Sequence, residues 1–266
     1  AEMFDHVATL EAARGRAMPI STSNYSTTDP LTHPDEPSDV EDIVGIDLNH
    51  LQSTTNWPCG HFANYHSYPY YPDIMRYEDG ISNYVYKGYI DNYAGYISKL
   101  KAHHEAAGIP LYISEFGVPS SIGNAHYGPL GRDQGNHSEQ DQMAIDMELL
   151  DIIRNLKCSG GFVFMWMGEW FKTVWNVKDF HVPADRRWFW QNAWANEAHF
   201  GLVNGEPGLT AAAVVDGNDG EWTNNNSEIL YDASGTTNAL QEVRAIHDEG
   251  YLYLRIRTLS SGAWSG

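Results

Sequence analysis

A single glutamate combines a residue type and a position that suit bond-breaking chemistry. Glu115 lies near the end of residues 109–116, a run whose apolar and β-branched side chains predict a buried strand. The alternation of apolar and polar positions breaks at Glu115, and Gly117 follows, which predicts that the strand ends there. In parallel α/β folds, the carboxyl ends of buried strands face the loops that carry reactive groups. Glu115 is therefore the predicted catalytic residue.

Two further strand ends carry side chains able to support such a carboxylate. His66 and Tyr68 are two residues apart, so a strand would present both on one face. An imidazole N–H or a phenol O–H that donates to a carboxylate stabilises its ionised form and fixes its direction. Trp166 ends a third run, residues 162–167, and an indole face can stack on the apolar C–H face of a sugar. Each of these side chains also fits a purely structural role.

The composition excludes some classes of partner. The chain has 266 residues and a formal net charge of −19, so nucleic acid and anionic membranes, which carry the same sign, are not expected partners. Aromatic residues make up 13% of the chain, which weakly favours carbohydrate as a ligand. Cys59 and Cys158 form no CxxC motif, so neither a zinc site nor a disulfide framework is predicted and their pairing stays open. No metal and no cofactor is expected.

The order of elements predicts an α/β fold with a parallel sheet. Strands and helices alternate, and helical crossovers between strands are typical of parallel pairing. The predicted strands cover residues 17–23, 62–68, 109–116 and 162–167, and the predicted helices cover residues 1–15, 84–107 and 138–157. Four such units are present, whereas a closed (β/α)8 barrel needs eight. After about Gly205 the pattern changes to short strands and turns, with a hairpin predicted from residues 240–246 and 251–257.

These residues resemble a known enzyme class. Glu115 in Ile-Ser-Glu-Phe-Gly, the His66-x-Tyr68 strand before it and Trp166 in Phe-Met-Trp after it are similar to strands seven, six and eight of the clan-A retaining glycoside hydrolases. The resemblance covers roughly residues 16–200. It implies a (β/α)8 TIM barrel, of which only strands five to eight lie in this chain. It also implies that the parent protein hydrolyses β-glycosidic bonds in a poly- or oligosaccharide.

The resemblance also implies roles for individual residues. Glu115 would be the nucleophile, His66 and Tyr68 its hydrogen-bonding neighbours, and Trp166 part of the donor-sugar subsite. Tyr70 is expected in the wall of the cleft. Glu169 is expected either to contact a sugar hydroxyl or to face solvent.

One catalytic group of the family has no counterpart at the expected position. Retaining hydrolysis needs two carboxyl groups about 5–5.5 Å apart, and the family carries the acid/base at the end of strand four. That strand would precede Ala1, and the Asn196-Glu197 pair follows the eighth strand, out of order. We therefore expect the chain to be part of a longer protein and to be inactive alone. We also expect it to self-associate or to need the missing N-terminal barrel half.

The C-terminal segment predicts a second domain. Its turns around Asp216–Trp222 and its hairpin look like the start of a carbohydrate-binding-type β-sandwich. The predicted domains are residues 1–205, the half-barrel, and residues 206–266, the partial sandwich. An extracellular or cell-surface location is favoured for the parent protein. The alternative function is a non-catalytic carbohydrate-binding or docking domain on a hydrolase-like scaffold.

Overall fold

The computed structural model describes two compact units, Ala1–Asn204 and Gly205–Gly266. The described residues are 2–38, 40, 44–180, 183, 192, 194–203, 211–214, 218–223, 226–248 and 251–259. The expected domain limit at residues 205–206, the Asp216-Gly217 turn and Glu249-Gly250 lie outside them.

The first unit contains a four-stranded parallel sheet. In chain order its elements are α1 (Glu2–Ala13), β1 (Ser23–Tyr25), β2 (Ala63–His66), α2 (Ile74–Tyr77), α3 (Asp79–Ser82), β3 (Val85–Tyr86), β4 (Tyr89–Ile90), α4 (Asn92–Glu105), β5 (Leu111–Phe116), α5 (Glu139–Asn155) and β6 (Gly161–Val163). The parallel strands follow the order β1-β2-β5-β6. Helix α4 leads from β2 to β5, and α5 leads from β5 to β6, so the mixed α/β class and the parallel sheet are confirmed.

Local sequence signals explain where the two crossover helices begin. The Asp91 side chain accepts a hydrogen bond from the Ala94 N–H and caps α4. Ser138 and Asp141 form a reciprocal capping box at the start of α5. Among the described helices, none combines the length and the apolar character needed to cross a membrane.

The main core lies between the sheet and the crossover helices. Tyr65 of β2 and Ile113 of β5 are fully buried against Tyr96 and Leu100 of α4 and Ile152 of α5. The opposite face of the sheet is more open. It carries a row of aromatic side chains, Phe62, Tyr112 and Phe162, of which Phe162 is 65% exposed.

The predicted helix over residues 84–107 is too long. Residues 85–90 instead form a two-stranded hairpin of β3 and β4. Its turn residues, Lys87 and Gly88, have φ angles of 49° and 92°, which a helix cannot accommodate. The helix begins only at Asn92, behind the Asp91 cap.

The other parallel strands are also shorter than expected. Of the strand predicted over residues 17–23, only Ser23 belongs to a strand, because β1 covers Ser23–Tyr25. Ile20 pairs with His61 in an isolated bridge before β1. The strand predicted over residues 162–167 ends at Val163. Beyond it the chain leaves the sheet, since Met165 and Trp166 hydrogen-bond to the backbone of residues 200–203. Both cysteines, Cys59 and Cys158, are free.

The second unit is a three-stranded antiparallel sheet. Strands β7 (Glu228–Asp232), β8 (Leu240–His247) and β9 (Leu252–Thr258) are adjacent in that order, so the predicted hairpin is confirmed. Leu252, Leu254 and Ile256 alternate along β9 and are each more than half exposed.

Candidate functional site

An irregularity in β5 turns Glu115 away from the core. Tyr65 pairs with Ile113, but the next residue of β2, His66, pairs with Glu115, so Ser114 is an extra residue. Against β6, too, one extra residue of β5 lies between Ile113 and Phe116. Leu111, Ile113 and Phe116 are buried, whereas Ser114 and Glu115 are both half-exposed. The bulge therefore places the carboxylate beside His66 and returns Phe116 to the core.

Two side chains converge on one oxygen of Glu115. The Tyr68 hydroxyl donates a hydrogen bond of 2.8 Å to Glu115 Oε2. His66 Nδ1 lies 3.0 Å from the same oxygen. The predicted neighbours of Glu115 are thus in contact with it. Because a carboxylate only accepts, a neutral His66 must carry its proton on Nδ1 to donate here.

Burial sets the protonation states of both neighbours. It lowers the pKa of His66 from its usual 6.5, although the Glu115 charge opposes that shift. It also raises the pKa of Tyr68 far above 10, with further contributions from Tyr70 and Glu115. Tyr68 therefore keeps its proton, and with it the ability to donate, across the physiological range.

Glu115 faces an open cleft of about 460 Å³. Aromatic rings make up much of its wall, including Tyr68, Tyr70 and Phe200. The lining residues are Tyr25, His66, Tyr68, Tyr70, Tyr71, Glu115, His126, Gln134, Phe164, Lys172, Glu197 and Phe200. Tyr70 is buried and lies parallel to His126 with ring centroids 6.3 Å apart, so it supports the wall from behind. A cleft of this kind offers flat apolar faces together with a few polar groups.

Trp166 and Glu169, two of the predicted sugar-binding residues, are not among the described residues that line the cleft. Trp166 is 71% exposed and does not belong to the described residues that line the cleft. Glu169 forms an ion pair of 2.5 Å with Lys172 Nζ, and Lys172 itself lines the cleft. Glu169 therefore acts on the cleft through Lys172.

The structure adds a second carboxylate to the cleft. Glu197 lies in a short 3-10 helix, Asn196–Ala198, and its Oε1 accepts a hydrogen bond of 2.8 Å from Gln134. Its Oε2 lies 3.6 Å from Lys172 Nζ. The Asn-Glu dipeptide was the available signal in the sequence, but its position after the last parallel strand gave no reason to place it beside Glu115.

A buried aspartate supports the turn that follows Glu115. Asp146 of α5 accepts a hydrogen bond of 3.0 Å from the Val118 N–H. Burial raises its pKa from 3.8 to about 7, although the bond to Val118 opposes the shift. Gly117 has a φ of +146°, and a Cβ there would lie 2.9 Å from the Phe164 carbonyl oxygen. The turn therefore needs glycine and is held from beneath by Asp146.

The loop around residue 33 contains a buried cluster of charged side chains. Asp29 and His33 are buried, and His33 Nδ1 lies 2.6 Å from Glu78 Oε2 while its Nε2 lies 3.1 Å from Asp29. Burial alone would lower the pKa of His33, but Asp29 and Glu78 together raise it to about 9. The group is thus a buried ion cluster that needs no added cation.

One other cluster has the residue types of a metal site. Asp47, His103 and His104 have potential ligand atoms within 4.8 Å of one another. His104 is already satisfied, since its Nδ1 contacts Asn49 Oδ1 at 2.7 Å and its Nε2 contacts the Tyr65 hydroxyl at 2.9 Å. Asp47 and His103 are 3.1 Å apart and form an ordinary ion pair when the histidine is protonated. These contacts explain the cluster without an ion.

Comparison of the chain with protein-family models, with curated proteins and with solved structures gives no match in any of the three.

Proposed function

We propose that the cleft is the donor-sugar half of a retaining β-glycoside hydrolase site, with Glu115 as the nucleophile. The observation that carries the proposal is the convergence of Tyr68 and His66 on Glu115 Oε2 inside an aromatic cleft. Donors on one carboxylate oxygen leave the other oxygen to attack and hold it in a fixed direction. The expected substrate is a poly- or oligosaccharide.

The reaction would begin with attack of a Glu115 oxygen on the anomeric carbon. A C–O bond forms to Glu115 while the glycosidic C–O bond breaks, and the leaving oxygen takes the bonding electron pair. A general acid must protonate that oxygen when the leaving group is an ordinary sugar. Water later attacks the same carbon while its C–O bond to Glu115 breaks, and the deprotonated general acid takes the proton of the water as a base. Tyr68 and His66 keep the carboxylate oriented in both steps.

We propose that the acid/base lies outside this chain, on the barrel half that would cover the open face of the sheet. Glu197 is not assigned that role, because it follows the last parallel strand, whereas the resemblance places the acid/base before the nucleophile. On this view the chain alone hydrolyses ordinary glycosides poorly. The exposed Phe162 side of the sheet would be covered either by that half or by a second copy of the chain.

The test is covalent trapping of Glu115. A 2,4-dinitrophenyl 2-deoxy-2-fluoro-β-glycoside carries a leaving group that needs no acid, and its fluorine slows release of the sugar. Panels with gluco, galacto and manno configuration would be incubated with the chain, and adducts located by peptide mass spectrometry. We expect a glycosyl ester on Glu115 that is absent from Glu115→Gln.

A matched control separates catalysis from general reactivity. Glu148→Gln removes a carboxylate that is about half exposed and lies on α5, outside the cleft lining. This variant should still be labelled at Glu115. An adduct on another residue, or none with any sugar, would contradict the proposal.

The second candidate function is sugar binding without hydrolysis. The wall of tyrosines and the Glu197-Gln134-Lys172 group would serve a bound sugar equally well if no acid completes the site. Binding of intact oligosaccharides together with failure of the trapping reagent would favour this alternative.

A further inference from the structure

Two carboxylates of the cleft come from distant parts of the chain. Glu115 ends a strand of the parallel sheet, and Glu197 belongs to the short helix that precedes residues 200–203. Both line the same cleft, and both of their charges contribute to raising the pKa of Tyr68. The region between them is therefore negative.

The one lysine of the described cleft lining does not offset this charge. Lys172 Nζ lies 2.5 Å from Glu169 Oε2 and 3.6 Å from Glu197 Oε2. The Lys172 ammonium lies over the Phe164 ring, with Nζ 4.9 Å from the ring centroid. Two acidic side chains, Glu169 and Glu197, thus lie beside the one ammonium, and Glu115 adds a third carboxylate to the same region of the cleft.

Glu197 is held in a fixed position. Its Oε1 accepts from Gln134 Nε2 at 2.8 Å, and Gln134 is itself buried. A fixed carboxylate with lone pairs toward a cleft accepts hydrogen bonds from hydroxyl groups. The same group repels a ligand carboxylate, and the partly enclosed site weakens the screening of that repulsion.

We infer that Glu197 determines specificity, by accepting hydrogen bonds from the hydroxyls of a non-anionic sugar and excluding uronic acids from the cleft. This inference rests on the proposed function, since it names the class of sugar that the same cleft accepts. The charge of Lys172 is already balanced by Glu169 at 2.5 Å and Glu197 at 3.6 Å, so little positive charge is left to attract a uronate carboxylate.

The test compares two hydrolysis-resistant ligands that differ only at C6. Phenyl 1-thio-β-D-glucoside and phenyl 1-thio-β-D-glucuronide, with the corresponding galactose pair, would be titrated into the full chain by calorimetry or ligand-observed NMR. We expect the neutral member of a pair to bind at least about tenfold more tightly at low salt. That ratio should shrink as ionic strength rises from about 0.01 M to about 0.15 M, since the exclusion is electrostatic.

Substitution of Glu197 tests whether this carboxylate causes the preference for the neutral ligand. Glu197→Gln should weaken binding of the neutral ligand and reduce severalfold the ratio of its affinity to that of the uronide. Glu105→Gln, on the exposed surface of α4, should leave the affinity and the ratio unchanged. If Glu197→Gln does not fold, as judged by circular dichroism, Glu197→Asp keeps the charge on a shorter side chain. It should weaken binding of the neutral ligand, because it no longer holds the same bond to Gln134, and unchanged binding would remove Glu197 from the explanation.

The possible results distinguish a failure of this inference from a failure of the proposed function. A uronide that binds as tightly as its neutral partner overturns the inference alone. A preference for the neutral sugar that Glu197→Gln leaves intact removes Glu197 from the explanation. Absence of binding by every thioglycoside contradicts both the inference and the proposed function.

Discussion

The Tyr68 hydroxyl donates a hydrogen bond of 2.8 Å to Glu115 Oε2, from a position three residues beyond the buried Tyr65 of β2. Removing this donor with Tyr68→Phe keeps the ring and its packing against Phe200. A hydrogen bond to a charged group contributes about 1.5–3 kcal/mol, so we expect covalent labelling of Glu115 to slow by about ten- to a hundredfold. Labelling rates measured by intact-protein mass spectrometry would check this. Tyr127→Phe, at an exposed tyrosine, is the matched control.

The turn after Glu115 should not tolerate a side chain. In Gly117→Ala the new Cβ would meet the Phe164 carbonyl oxygen at 2.9 Å and Asp146 Oδ1 at 3.3 Å, at a φ that disfavours alanine. We expect a loss of about 2–4 kcal/mol in the free energy of unfolding, measured by urea denaturation. Gly131→Ala, at a φ of +71° with nothing within 4 Å, should cost only about 1 kcal/mol. Equal losses would show that the close contacts at Gly117 do not matter.

The buried carboxyl of Asp146 makes stability fall as pH rises. Its folded pKa of about 7 lies above its usual 3.8, so the penalty is absent below about pH 4, grows between the two values and is complete above about pH 7. Asp146→Asn keeps the acceptor for the Val118 N–H and removes the charge. We expect it to stabilise the fold at pH 8, by up to about 4 kcal/mol, and to have little effect at pH 4.

Unfolding by urea at a series of pH values would measure this effect. Asp151→Asn, on the same helix but accessible to solvent, provides the comparison. If the two variants changed stability in parallel at every pH, burial of Asp146 would not be the cause.

The buried cluster of Asp29, His33 and Glu78 should stabilise the fold at acidic and neutral pH and lose that contribution at alkaline pH. The folded pKa of about 9 exceeds the usual 6.5, so its contribution is complete below about pH 6.5 and is lost as pH rises through 9. His33→Gln should therefore destabilise the chain most at pH 6, and the difference from the unaltered protein should shrink by about 3 kcal/mol by pH 10. Thermal unfolding across this range would measure it. His50→Gln, whose side chain is 85% exposed, should show no such trend.

Local patterns were sufficient for the elements that carry their own signals. The apolar run around Ile113, the capping box at Ser138 and Asp141, and the hairpin of β8 and β9 all follow from short stretches of sequence. The proximity of His66, Tyr68 and Glu115 also follows, since neighbouring parallel strands end at one edge of a sheet. The turn at Lys87-Gly88 was missed because the tyrosines around it are also spaced as in a helix.

Long-range pairing explains what could not be predicted. Glu197 reaches the cleft because residues 200–203 hydrogen-bond to Met165 and Trp166, more than thirty residues earlier in the chain. The same pairing ends β6 early and leaves Trp166 on the surface. The residue pattern of neither segment, 165–166 or 200–203, indicates this contact. The burial of Asp29 and His33 likewise depends on partners, Glu78 and Tyr96, that lie far along the chain.

The extra residue in β5 has a consequence for how easily this site can be lost. Ser114 shifts the parity of the strand by one position, so the side chains after it exchange faces. If β5 kept Ser114 but lost its bulge, regular alternation would turn Glu115 to the buried face of Ile113 and expose Phe116. Deleting Ser114 together with the bulge would instead leave both side chains on their present faces. The carboxylate therefore stays in the cleft because the strand accommodates one residue outside its regular alternation, and a change that straightened the strand would bury it.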